Sequence, residues 1–380
     1  ILAAVLWRIR LLDGIYIIGD EFGYWADAAF FAGKNWSEVG SMNPYYSFGY
    51  SLILAPLFLL GKPALMYKAA VLLNGVFLCG SFLLTIFCGK KLFRDLNRWN
   101  LILFSWCVNV FSSMILYAQT TLAENLIVFV LLLGTALYFR FLEKPGYLRA
   151  CLTGLAFGYL YSIHMRTLTV LVALAFCLIL VFRQKKVSWR YILTLVLTIA
   201  VCVFAANQIK EILVENVYLS NASVSTNDYS GQVQKLSSLL SVDGVLALFF
   251  SFLGKVWYVG CSTFFLAWWG IVFLIHQVYN RMRKKEMVED EHRILFLLLA
   301  FLGALAINCI YMSYFGRVDT LIYGRYSEYV YILILFVGLY AMMQSRHRGK
   351  LCALFSVAAI LLTFCVRGIL DWAETTTFIY

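Results

Sequence analysis

The sequence predicts an all-α membrane protein that crosses the bilayer many times, and three observations carry that prediction. Of its 380 residues, 62% are apolar and only 13% charged, with a mean hydropathy of +0.81. Water-soluble domains of this size do not keep such a balance. The apolar residues fall in unbroken runs of roughly 20, the length a helix needs to cross about 30 Å of hydrocarbon, and not in the alternating ten-residue strands of a barrel. Basic residues, finally, mark every second connection between those runs, as the positive-inside rule requires.

Taken in order, the chain begins at Ile1 within an apolar run, with neither Met nor a signal-peptide layout. A first transmembrane helix cut by the N-terminus is expected, and the C-terminus could be incomplete too. A first outer loop over 19–62 follows, opening with Gly19-Asp20-Glu21-Phe22-Gly23-Tyr24-Trp25. Within it the apolar stretch from Phe48 to Leu60 stops at Gly61-Lys62-Pro63 and suits an interfacial helix. Crossings are expected at 64–88, 99–118, 123–140, 148–165, 167–182, 190–208, 258–279, 294–314, 328–345 and 351–366. With the cut helix and the short stretch, that makes a single membrane domain, 1–380, of about 11–12 transmembrane helices.

The basic connections are Lys90, Lys91, Arg94 and Arg98; Arg140, Lys144 and Arg149; Arg183, Lys185, Lys186 and Arg190; Arg281, Arg283, Lys284, Lys285 and Arg293; and Arg346, Arg348 and Lys350. The net charge of +11 therefore belongs to the inner face and is no sign of nucleic-acid binding. The Asp20-Glu21 loop falls outside, together with a second large loop at 209–257, the 315–327 loop and the 367–380 tail. In the second large loop, Asn221 to Asp228 is turn-forming, and Val233 to Tyr258 suits a helix lying at the interface.

The ten cysteines lie in or at the ends of apolar runs without C-x-x-C spacing, and the four histidines are scattered. Neither a disulfide framework nor a zinc or histidine metal centre follows. Gly154-x-x-x-Gly158 is read as a close-packing pair. Two N-x-S sequons, at Asn35 and Asn221, face outward and matter only in a host that glycosylates asparagine.

Seven residues are candidates for chemistry. Asp20, with Glu21 beside it, can take a proton from an attacking hydroxyl at the outer mouth of a helix bundle, help typically worth about 10²- to 10⁴-fold in rate. Solvated loop acids are the plainer reading of the pair. Arg166, at the tip of a tight hairpin, and Arg325, in Gly324-Arg325-Tyr326, match phosphate oxygens. Interfacial snorkelling explains the first equally well, and a pairing with Glu328 one turn on explains the second. Glu124 starts a transmembrane run and either caps it or lines a cavity where it touches sugar. Tyr46 and Tyr50 belong to an aromatic stretch that stacks on sugar faces or forms an interface belt.

Asp20-Glu21, with Tyr24, Ala28 and Ala29 in the run toward Gly33, resembles the first outer loop of the GT-C glycosyltransferases that use lipid-linked donors. The similar types are the dolichyl-phosphate-mannose protein mannosyltransferases and the bacterial aminoarabinose transferases. Phe48 to Leu57 resembles the family's Pro-Gly-Tyr-type loop end, although it lacks the usual prolines beside the glycine. Glu124, Met165-Arg166-Thr167 and Gly324-Arg325-Tyr326 fall in the family's order. The resemblance implies a GT-C-type bundle and transfer, with inversion, of a sugar from a polyprenyl-phosphate carrier to a glycan, lipid or protein acceptor. That transfer would take place on the outer face of a membrane, here a bacterial plasma membrane. It makes Asp20 the catalytic base with Glu21 its neighbour, and Arg166 and Arg325 the carrier-phosphate ligands. No cofactor is expected, although Asp20, Glu21 and Glu124 are the acids that could converge on a divalent metal. A lipid-linked-sugar flippase, another transporter, or a non-catalytic homologue of the same fold are the competing readings.

Overall fold

The computed structural model describes residues 1–7, 9–221, 239, 241–284, 289–313 and 321–372. The chain is an all-α polytopic membrane protein, with no strand among these residues. Among the described residues, seven helices are long and apolar enough to cross a membrane: Pro63–Leu92, Glu124–Glu143, Met165–Arg183, Trp189–Asn216, Val242–Ser262, His292–Tyr311 and Arg348–Trp372. An eighth crossing results if Arg98–Asn109 and Ser112–Ala118, bent by 61° at a short break, count as one.

That is fewer long crossings than the apolar runs predict, for local reasons. The run at 148–165 becomes the 17-residue helix Tyr147–Ile163. At 1.5 Å per residue it spans about 25 Å, short of a hydrocarbon core of about 30 Å. The run at 328–345 divides into Arg325–Glu328 and Tyr331–Gln344. The predicted loops are also more helical than their polarity suggests. Most of 19–62 is helix, and 209–257 is helical at both ends. The part of the Asn221–Asp228 run after Asn221, Arg317 and Asp319, Lys285, and residues 373–380 of the predicted tail lie outside the described residues.

Two compact units divide the chain, one made of residues 1–171 and 178–231, the other of 172–177 and 232–380. The first contains α1 (Leu2–Leu6), α2 (Ile18–Phe31), α3 (Ser37–Gly40), α4 (Gly49–Leu54), α5 (Pro63–Leu92), α6 (Arg98–Asn109), α7 (Ser112–Ala118), α8 (Glu124–Glu143) and α9 (Tyr147–Ile163). Most of α10 (Leu168–Arg183) and all of α11 (Trp189–Asn216) complete it. Its main packing is α5 on α8, α8 on α9 and α9 on α11. The last of these rests on the predicted glycine pair. A Cβ on Gly154 would come within 2.7 Å of Thr198 Cβ, and one on Gly158 within 2.4 Å of Cys202 Cβ.

Helix α2 forms where a loop was expected because its sequence supplies both ends. Ala26, Ala28 and Ala29 favour helix, and Glu21 reaches back to the backbone amides of Tyr16 and Ile17, serving orphan donors at the start. At the other end Gly33 adopts a left-handed φ of 72°. Lys34 N donates to Ala29 O at 2.8 Å and Gly33 N to Phe30 O at 3.0 Å, the Schellman arrangement that needs glycine at this point.

The second unit contains α12 (Val242–Ser262), α13 (Leu266–Lys284), α14 (Glu289–Tyr311), α15 (Arg325–Glu328), α16 (Tyr331–Gln344) and α17 (Arg348–Trp372). Helix α12 starts early, inside the predicted 209–257 loop, because Ser241 Oγ caps it by accepting from Gly244 N at 3.0 Å. It stops at Thr263, and Phe264 and Phe265 turn the chain with φ of 50° and 64°. Helices α13 and α16 then meet almost backbone to backbone. A Cβ on Gly270 would lie 2.3 Å from Ile334 O, and one on Gly338 2.0 Å from Leu266 O.

Candidate functional site

The first unit gathers six of the seven predicted site residues. Asp20 and Glu21 sit in the first turn of α2, but their neighbourhoods differ sharply. Glu21 is fully buried and accepts five hydrogen bonds. Its Oε1 takes Tyr16 N at 3.0 Å and Ile17 N at 2.8 Å. Its Oε2 takes Tyr67 Oη at 2.8 Å, Thr121 N at 2.7 Å and the Thr121 hydroxyl. Trp25 Nε1 donates to that same Thr121 hydroxyl at 3.0 Å. Glu21 is therefore the bolt that ties α2 to α5 and to the residues preceding α8. With both oxygens committed to protein donors it is not placed to meet a substrate, which corrects its reading as a catalytic acid.

Asp20 is half-buried, and its Oδ1 accepts the Tyr46 hydroxyl at 2.9 Å. Room for that contact comes from Gly23, one turn on, where a Cβ would lie 2.1 Å from the Tyr46 ring. Tyr24 fixes the other side, edge-on to both Tyr46 and Tyr50 at 5.5 Å between centroids. Tyr46 thus meets the acid itself.

Tyr50 is fully buried, with its hydroxyl donated to Asn74 Oδ1 at 3.1 Å, while Asn74 Nδ2 donates to Thr120 O at 2.7 Å. A stacking face for sugar is not what this ring offers, and that expectation is corrected. Its neighbour Gly49 explains the Phe48-Gly49-Tyr50 motif physically. A Cβ there would stand 2.6 Å from Ile163 N, and Tyr159 Oη donates to Gly49 O at 2.8 Å, so α4 sits against the end of α9.

Glu124 and Arg166 come together as a buried ion pair, Arg166 Nη2 donating to Glu124 Oε1 at 3.3 Å, with side chains 3% and 5% exposed respectively. Arg166 lies in the 3-10 turn Met165–Thr167 between α9 and α10, whose start is held by His164 Nδ1 accepting from Arg166 N. The arginine is a buried, paired cation and not a snorkelling one. Removing one partner of such a pair typically costs about 3–5 kcal/mol, because the other charge stays buried. Arg325 belongs to the second unit, half-buried at the first residue of α15. The glycine before it is required there, since a Cβ on Gly324 would overlap the Tyr258 ring, and Glu328 accepts the Tyr258 hydroxyl.

Sequence reasoning missed Asp27. It is fully buried on α2, seven residues after Asp20 and so on the same side of the helix. Neither of its oxygens has a hydrogen bond of good geometry, although the Tyr218 hydroxyl lies beside it and partly offsets the cost. Burial holds its carboxyl well above the usual aspartate range. A lone acid in Trp25-Ala26-Asp27-Ala28-Ala29-Phe30-Phe31 was the available signal. Tyr218 was missed too. Also fully buried, it accepts Tyr46 N at 3.2 Å and packs edge-on to Tyr45. Burial, and then Asp27, push its hydroxyl well above the usual tyrosine range. In the second unit the missed residue is Lys255, 1% exposed within a membrane-crossing helix. It donates to Leu321 O at 3.2 Å and Ser251 Oγ at 3.4 Å.

Beside α2 lies an open depression of about 350 Å³, lined by Phe22, Asn35, Trp36, Glu38 and Val39. Asp20 is not in its wall, because Phe22 points to the other side of the helix. Among the described residues, no three His, Cys, Asp or Glu side chains are grouped as ligands for a metal ion. No family model matches the chain, and no curated protein matches it.

Proposed function

We propose that the protein is a glycosyltransferase that moves a sugar from a polyprenyl-phosphate carrier to an acceptor hydroxyl on the extracytoplasmic face of a membrane, with Asp20 as general base. A bacterial plasma membrane is the setting. One observation carries the reading: of the adjacent acids that begin α2, one is locked away as a structural bolt, and the other is half-exposed on a tyrosine hydroxyl. A solvated pair would not divide its labour in this way.

The chemistry follows from those positions. The acceptor hydroxyl attacks the anomeric carbon, its proton passes to Asp20, and the bond from that carbon to the phosphate oxygen breaks. The leaving polyprenyl phosphate takes the electron pair, and the configuration inverts. A bilayer-soluble carrier reaches such a site laterally, so that positioning supplies much of the rate. Arg166, engaged by Glu124, is not the ligand for that phosphate. The test is transfer from a radiolabelled polyprenyl-phosphate sugar in proteoliposomes. Asp20→Asn is expected to lower turnover about 10²- to 10⁴-fold while eluting from a sizing column like wild type. Undiminished turnover in that variant rules the base out.

A transporter of lipid-linked sugars is the second reading, favoured by Lys255, an ionisable residue buried within a crossing helix. Ionisable groups placed there commonly mark transport routes. Scrambling of a labelled lipid-linked sugar in liposomes that survives Asp20→Asn and fails in Lys255→Met would select it.

A further inference from the structure

The chain from Asp20 does not end at Tyr46. Tyr46 gives its hydroxyl to Asp20 and its backbone N–H to the Tyr218 hydroxyl, and Tyr218 in turn lies beside the carboxyl of Asp27. Both ends of this run return to the same side of α2. The segment that brings Tyr218 in is clamped independently. Val217 fills the place where a Cβ on Gly40 would stand, 2.8 Å away. Asn221 Nδ2 donates to Asn43 O at 3.1 Å and also to Ser41 O. Residues 217–221 thus strap down 40–46, the stretch that delivers Tyr46.

The geometry points to Asp27 as a positioning residue: as a neutral buried acid against the Tyr218 hydroxyl, it fixes the backbone of Tyr46 and so the hydroxyl donated to Asp20. A fully buried carboxyl without well-formed hydrogen bonds is costly, and an alanine here would suit the helix better. A neutral acid also leaves Asp20 without a like charge about 10 Å along the helix. The link to catalysis rests on the reading of Asp20 as base; the geometric assignment does not.

The test uses the full chain in nanodiscs. Infrared spectra with carboxyl-labelled aspartate at neutral pH are expected to show a protonated-carboxyl band in wild type and Asp20→Asn that is absent from Asp27→Asn. Unfolding temperatures of Tyr46→Phe, Tyr218→Phe and the double variant are expected to be non-additive, the double variant losing less than the two single losses combined. With undecaprenyl-phosphate mannose as probe, Asp27→Leu is expected to lower turnover at least tenfold, and Asp27→Asn to recover most of that loss. A band that survives Asp27→Asn, or hydroxyl deletions that simply add, overturns the assignment. If wild type does not turn the probe over while both physical readouts come out as expected, the glycosyl-transfer reading is what fails.

Discussion

Four acidic side chains in the first unit show how little a residue type says before its surroundings are known. Asp20, Glu21, Asp27 and Glu124 are respectively half-exposed on a tyrosine, saturated by five donors, buried without good donors, and paired with an arginine. Asp27 has the most direct thermodynamic consequence. Its folded-state pKa is raised, so above the unfolded aspartate value of about 3.9 the unfolded chain binds fewer protons than the folded one. Stability contributed by the neutral acid is therefore present at low pH and falls as pH rises from about 4 toward the folded pKa, at about 1.4 kcal/mol per pH unit. Asp27→Asn escapes this loss. The unfolding temperature of the variant relative to wild type is expected to climb between pH 5 and pH 8, and a difference that stays flat across that range contradicts the assignment.

At the scale of elements, glycines decide which helices touch. Gly23, Gly49, Gly154, Gly158, Gly270 and Gly338 each stand where a Cβ would meet a neighbour at less than 3.0 Å. Gly23 bears on the proposed base, because what it admits is the ring of Tyr46. Gly23→Ala is expected to displace that ring and lower transfer roughly as much as Tyr46→Phe, at a stability cost of about 1–3 kcal/mol. Parallel turnover and thermal-unfolding measurements would separate the two effects. These contacts also explain what the sequence could reveal. The Gly154–Gly158 pair was readable because small residues four apart share a helix face, and Glu124 and Arg166 stood out as charges beside apolar runs. The partnership of the last two was not readable, being 42 positions apart and made only when α8 and the α9–α10 turn meet. Helix α2 was hidden for the opposite reason. Its two first-turn acids resemble a loop until Glu21 is seen turning back on the amides before it.

For the whole molecule, the apolar runs of the sequence and the long apolar helices agree on a membrane protein. Each unit also has its own buried ionisable groups, Glu124 with Arg166 in the first, Lys255 and Glu328 in the second. Placing such groups in hydrocarbon costs roughly 2.5–3.5 kcal/mol each on insertion scales, so their burial inside protein eases insertion. The face assignment is open to a direct test. Arg183, the exposed last residue of α10, and Lys185, exposed just after it, are expected to be cut by trypsin in sealed inside-out vesicles and spared in right-side-out ones. The reverse pattern would invert the assignment of faces.

The strap at 217–221 bears on something outside catalysis altogether, the order of events during biosynthesis. Asn221 begins the sequon Asn221-Ala222-Ser223, yet both hydrogens of its amide are spent on the carbonyls of Ser41 and Asn43. An oligosaccharide attached to that nitrogen would replace one of those hydrogens and put a bulky polar chain where the strap must seat. Docking and modification therefore exclude each other, and whichever comes first wins. Expressed in a eukaryotic secretory pathway, the chain becomes its own stopwatch. Glycan at Asn221 is expected in the aggregated fraction and not in the monodisperse one, and the ratio measures how often the enzyme that glycosylates outruns folding.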